Sequence, residues 1–204
     1  MDIPLGWQLF IQVILIAVNA VFASAEIAIV SMNELKLEKL AEDGNRRAKR
    51  LRKLTEKPAG FLATIQIAIT LSGFLGSAFA ADNFSDVIVR WLVDDLGVQI
   101  KESTLNTIAV IVITIILSYV TLVFGELVPK RVAMKKTQQI SLGVSGLISV
   151  SSKFFAPLVW LLTASTNLVL RILRIDPNGD DEEVSEEEIR MLVDVGGQKG
   201  IFDK

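Results

Sequence analysis

The chain of 204 residues is 51% hydrophobic with a mean hydropathy of +0.49, too apolar for a water-soluble domain of this size and in the range expected of several bilayer-spanning helices. It has neither Cys nor His, which removes disulfides, zinc, haem, iron–sulfur clusters and thiol or imidazole catalysis and leaves oxygen to hold any metal, a donor set suited to hard cations such as Mg²⁺, Ca²⁺ or Na⁺. The formal net charge of −2 conceals a sharp segregation of charge along the chain.

Three stretches have the ~20 apolar residues that crossing a hydrocarbon core requires. They run over about 3–31, broken only by Glu26, over 59–81 without a charge, and over 105–128, uncharged until Glu126. The first begins with Asp2 and no Lys or Arg before Gly6, so it reads as a retained anchor rather than a cleaved leader. Residues 31–58 carry nine Lys and Arg, and residues 130–136 carry four more with no acid. Residues 82–104 have two basic and five acidic side chains. The positive-inside rule then places the N-terminus outside and the basic segments and C-terminus in the cytoplasm, in a multi-pass protein of the inner or plasma membrane.

Between the first two spans, 34–56 keeps Leu35, Leu37, Leu40, Leu51 and Leu54 among its charges, the pattern of an amphipathic helix or helix pair at the interface, facing anionic lipid. Residues 132–174 form the second juxtamembrane region. Pro157, preceded by the polar cluster SVSSK, breaks its apolar run near Phe154–Pro157 into a helical hairpin at the interface. From Asp176 the composition turns acidic, with ten acids and three basic residues to Lys204. Ser185 and Glu188 make a capping box before Ile189, Leu192 and Val193, which predicts a cytosolic helix over part of 176–204. The expected fold class is an all-α integral membrane protein: three transmembrane helices, amphipathic juxtamembrane helices and a broken interfacial hairpin.

Polar and small residues line one edge of each span. Gln66, Thr70, Gly73 and Ser77 follow helical spacing in the second, Thr114, Ser118, Thr121 and Gly125 in the third, and Asn19, Ala23 and Glu26 in the first. Such edges also serve simple helix packing. FGELVPKR carries more chemistry. Pro129 has no N–H to bond the Gly125 carbonyl, and that freed oxygen sits beside the Glu126 carboxylate at membrane depth. One reading is an oxygen site for a small cation; the other is a helix end at which Glu126 pairs with Lys130. At ~1.5 Å per residue, Ser24–Glu26, Gln66–Ser72 and Ser118–Glu126 share the cytoplasmic half of the core and could line one cavity.

FASAEIAIVSMN, TIQIAITLSGFLGSA, GELVPKRVA and VSEEEIRMLV together resemble the membrane domain of the CorC/cyclin M family of magnesium transporters, over nearly the whole chain. The resemblance implies a homodimer of three-span protomers that moves a largely dehydrated Mg²⁺ by alternating access, as an exporter with Na⁺ as a candidate coupling ion. It also implies an ATP-binding pair of CBS modules, a region that the 204 residues do not include. The ion site carried over by position is Ser24, Thr70, Ser72, the Gly125 carbonyl and Glu126. Relatives often have Asn in the second span, where this sequence has none, and Gln66 is the substitute. Glu26 lies about 200° around the helix from Ser24; it would contact the basic belt, accept hydrogen bonds from a neighbouring helix or mark a second, coupling-ion position. The competing function is a non-transporting regulatory or scaffolding membrane module. No H-E-x-x-H, G-x-S-x-G or pair of membrane aspartates is present, so the chain reads as no enzyme. Nucleic acid is not an expected partner.

Overall fold

A computed structural model describes residues 4–91, 93 and 101–175 of the chain. Every regular element among them is helical: α1 Leu5–Val30, α2 Glu34–Glu42, α3 Arg46–Thr55, α4 Pro58–Arg90, α5 Glu102–Leu122, a π segment Val123–Leu127, α6 Val128–Lys135, α7 Thr137–Phe154 and α8 Ala156–Ile172. The expected all-α membrane architecture holds. Three continuous helical stretches, Leu5–Val30, Pro58–Arg90 and Ser103–Lys135, are long and apolar enough to cross a membrane. The α7–α8 pair, bent at its break, would make a fourth only if taken as one span. The chain divides into two compact units, Met1–Trp160 and Leu161–Lys204. In the second, the described part is the remainder of α8 and the residues to Ile175. The acidic helix expected within 176–204 lies outside the described residues.

Sequence explains the boundaries. The Asn33 side chain accepts the Lys36 N–H at 2.9 Å to cap α2, and Asn45 accepts the N–H groups of Arg47 and Ala48 at 2.9 and 3.2 Å to cap α3. Between these helices Gly44 takes φ +90°, a left-handed turn that a side chain would oppose. Pro58 opens α4, where a missing N–H is harmless. Phe155 separates α7 from α8; Pro157 just beyond has no N–H for the Lys153 carbonyl, so the helix cannot run through. α4 continues past the apolar stretch that ends at Ala81. There Asn83 donates to the Phe79 carbonyl at 2.8 Å and Ser85 to the Ala81 carbonyl at 2.7 Å, keeping these polar groups satisfied against their own helix.

α1 is the hub of the first unit and touches α4, the π segment, α6 and α7. The core joins Phe22, Ala25 and Ile29 of α1 to Leu37 and Ala41 of α2, Ala48 and Leu51 of α3, Phe61 and Ile65 of α4 and Ile148 of α7. The amphipathic pair α2–α3 is therefore pinned to the bundle by its leucines. On α7, the fully buried Ser141 and Ser145 return their hydroxyls to the Gln138 and Leu142 carbonyls and leave thin surfaces for close helix approach. Leu51→Ala is expected to lower stability by ~2–5 kcal/mol through the cavity it opens. Thermal unfolding in detergent measures this, with the exposed Leu35→Ala as a control expected to stay within ~0.5 kcal/mol.

Candidate cation site

The site grows from one missing hydrogen-bond donor. In a regular helix the Gly125 carbonyl would take the N–H of residue 129, but Pro129 has none. The third span widens there into a π segment, with the Val128 N–H reaching the Val123 carbonyl five residues back, and α6 then resumes with Pro129 in its first turn. The Gly125 carbonyl accepts instead from Asn19 Nδ2 of α1, a buried bond of 3.0 Å. Only glycine permits this approach comfortably: a Cβ at 125 would lie 3.1 Å from Asn19 Nδ2 and 3.4 Å from Thr121 Cγ2.

The Asn19 contact fixes its amide, since only the NH₂ group can face a carbonyl oxygen. Its Oδ1 is then left buried without a hydrogen-bond partner, on a residue 4% exposed. The seam thus holds a buried amide oxygen without a hydrogen-bond partner on the residue that caps the Gly125 carbonyl, with Glu126 next in the chain.

Further along the same two helices, one ammonium holds two acids. Lys130 Nζ is 2.9 Å from Glu126 Oε1 and 3.1 Å from Glu26 Oε2. The pairing of Glu126 with Lys130 that the sequence offered is present, and Glu26 joins it from α1. Glu26 stands on the same face of α1 as Asn19, seven residues on, so the two contacts form one seam between α1 and the third span. The three charges sum to −1. All three side chains are partly exposed, which leaves water a route to the clasp.

The other expected ligands stand elsewhere. Ser24 donates to the Val21 carbonyl of its own helix at 2.8 Å. Gln66 Nε2 donates to Thr70 Oγ1 at 3.3 Å within α4, and Gln66 is exposed. Ser72 is buried and opens onto an apolar cavity of about 830 Å³ between α1, α4 and α7, with Val21, Phe22 and Leu75 among its walls. The structure therefore gathers Glu26, Gly125 and Glu126 about one seam, while the polar groups of Ser24, Gln66 and Thr70 are engaged within their own helices. Asn19 and Lys130 complete the seam. Asn19 could have been found in the sequence, since it shares a heptad-spaced stripe with Glu26. Among the described residues no three acidic side chains cluster, so an ion here would need neutral oxygens beside the two carboxylates.

The family described as "Cyclin M transmembrane N-terminal domain" matches residues 10–204. A UPF0053 protein of Synechocystis is 38% identical over 97% of this chain and 43% of its own length. A protein of Haemophilus influenzae named "Polyamine export protein" is 32% identical over 93% of this chain and 43% of its own length, and the UPF0053 inner membrane protein YfjD of Escherichia coli is 30% identical over 86% and 37%. The chain thus spans less than half the length of these relatives. With the match running from residue 10 to residue 204 and three helices fit to cross a bilayer, the chain belongs to the cyclin M transmembrane-domain family and is a multi-pass membrane protein.

Proposed function

We propose that this domain moves Mg²⁺ across the membrane, outward from the cytoplasm, with the ion bound at the seam between α1 and the third span. The observation that carries the reading is the convergence of Glu26 and Glu126, from two different elements, on the single Lys130 ammonium, in the same seam where α1 meets the Gly125 carbonyl. Two carboxylates at a membrane helix seam are a costly arrangement that helix packing does not need. Glu126 and the Gly125 carbonyl supply the strong donors that a partly dehydrated Mg²⁺ demands at ~2.0–2.1 Å. Ser24, Thr70 and Ser72, with Gln66 as substitute, join the shell when the helices rearrange in an alternating-access cycle, and Na⁺ is the candidate coupling ion. The working unit is a homodimer with its N-terminus outside, continued by an ATP-binding CBS region on the cytoplasmic side. Lys36, Lys135 and Lys136, which line one cleft of about 510 Å³ with Ser31 and Asn33, meet anionic lipid at that face.

A second reading rests on the same clasp. Glu26 and Glu126 already hold a primary ammonium, and two relatives carry the name "Polyamine export protein"; a polyamine would present the same group to the same acids. Liposomes containing the protein separate the two. Mg²⁺ flux, followed with an entrapped indicator, is expected to exceed that of protein-free vesicles severalfold and to be insensitive to spermidine. Spermidine flux without Mg²⁺ flux would transfer the site to the second reading, and neither flux would leave the scaffolding role.

A further inference from the structure

We propose that Lys130 is a tethered competitor for the cation site, and that its ammonium sets the valence of the ion the site accepts. The inference rests on the ion-site reading above and adds to it the identity of the species the ion must displace. Lys130 Nζ lies within 3.1 Å of carboxylate oxygens on both Glu26 and Glu126, so it occupies the point at which the two acids converge. An incoming cation cannot use both carboxylates until that ammonium leaves.

Charge arithmetic decides which ions can displace it. With the ammonium in place the three groups sum to −1. Replacing it by Na⁺ or K⁺ returns the same −1, exchanging one positive charge for another and giving up a charge-assisted hydrogen bond to Glu126 and an ion pair with Glu26. A divalent ion brings the acids to neutrality. The lysine also holds an entropic advantage over a free monovalent ion, because a short tether keeps its ammonium at an effective concentration on the order of millimolar or above. Na⁺ has no electrostatic gain with which to overcome this, whereas Mg²⁺ gains from the second charge. The displaced group has somewhere to go: Lys130 is partly exposed, and its four-carbon stem can carry the ammonium toward the basic end of the bundle, where Lys135 and Lys136 are exposed.

The exchange would also break a link. Lys130 belongs to α6 and Glu26 to α1, and these two helices are in contact. Ion binding that expels the ammonium therefore removes an α1–α6 cross-link, so the occupancy of the site is read directly as a change in how the two helices are held together. Glu126 stays with the ion while Glu26 is released from Lys130.

The test uses the protein purified in detergent, as wild type, Lys130→Met and Lys130→Arg. Mg²⁺ affinity is read from the Mg²⁺-dependent rise in melting temperature, with and without Na⁺. Lys130→Met is expected to bind Mg²⁺ about tenfold more tightly, the equivalent of one charge-assisted hydrogen bond no longer competing, and to let Na⁺ compete. Lys130→Arg should retain wild-type discrimination. A second measurement needs no variant: acylation of amines, read by mass spectrometry, should modify Lys130 severalfold faster when Mg²⁺ is added, while Lys135 and Lys136 are unchanged. Folded Lys130→Met with unchanged or weaker Mg²⁺ affinity overturns the inference. So does Lys130 labelling that ignores Mg²⁺ in wild-type protein that binds it, and this arm decides alone if Lys130→Met does not fold. Wild type that shows no Mg²⁺-dependent stabilisation overturns the ion-site reading itself, a different outcome from either of these.

Discussion

Glu126→Gln is expected to suppress most of the Mg²⁺-dependent stabilisation and Mg²⁺ flux while leaving the protein folded. The substitution keeps the shape of the side chain and deletes one charge. Lys130 is not stranded by it, because the Glu26 carboxylate at 3.1 Å still neutralises the ammonium; the usual penalty for breaking a buried pair, an uncompensated charge, does not arise. What is lost is one of the two anionic groups that converge at the seam. A hydrogen bond or ligand contact to a charged group contributes ~1.5–3 kcal/mol, so affinity should fall by roughly 10- to 150-fold. Since a ligand bound only by the folded state stabilises it by RT ln(1 + c/Kd) at free concentration c, the Mg²⁺-induced rise in melting temperature should shrink to a minor fraction of the wild-type rise at concentrations just sufficient to saturate wild type. Glu26→Gln leaves the Glu126–Gly125 pair intact and should lose less. Thermal melts give the fold and the binding together, and liposome flux gives the transport. Full Mg²⁺ flux through Glu126→Gln would move the ion's path away from this seam.

Much of the architecture could be read in the sequence because it follows from local chemistry. Uninterrupted apolar length marks the three spanning helices, leucines among charges mark the α2–α3 pair, and Pro157 forces the break at Phe155. The extension of α4 to Arg90 escaped, because apolarity reports where hydrocarbon begins and ends, whereas a helix persists wherever side chains such as Asn83 and Ser85 can bond back to it. At the site, the release of the Gly125 carbonyl follows from Pro129 alone. Its acceptance of the Asn19 amide does not, since that depends on the relative register of two helices distant in sequence. Once that one contact is known, the next follows. Under the proposed topology α1 and the third span descend in the same direction, so moving two turns from Asn19 brings Glu26 to the level that Lys130, five residues beyond Gly125, can reach. The polar stripe of α4 illustrates the opposite case. Spacing showed that Gln66, Thr70 and Ser72 lie near one another, but it could not show that Ser72 opens onto an apolar cavity while Gln66 and Thr70 bond to each other.

Asn19→Leu is expected to destabilise the ion-free protein and, at the same time, to enlarge the stabilisation that Mg²⁺ confers. The Asn19 amide is the donor on the Gly125 carbonyl in this structure. Pro129 cannot substitute for it, so leucine leaves that buried oxygen without its partner, at ~1–3 kcal/mol. For a chain of this length that corresponds to a fall in melting temperature of roughly 2–12 °C. The loss is partly offset because leucine also removes the buried Oδ1 that has no hydrogen-bond partner, which places the expected value in the lower half of that range. An ion that takes the Gly125 carbonyl as a ligand must first displace the Asn19 donor, just as it must displace Lys130 from Glu126. With the amide gone, that step disappears and the unpaired oxygen is recovered on binding, so the Mg²⁺-dependent rise should exceed that of wild type. Gly125→Ala supplies the contrast. Its Cβ would press on the Asn19 amide at 3.1 Å and disturb both donor and carbonyl, so it should lose stability without gaining response to Mg²⁺. If Asn19→Leu melts lower yet responds to Mg²⁺ no more than wild type, the Gly125 carbonyl serves only to hold α1 against the π segment, and the ion's neutral donors must be sought among the hydroxyls of the other spans.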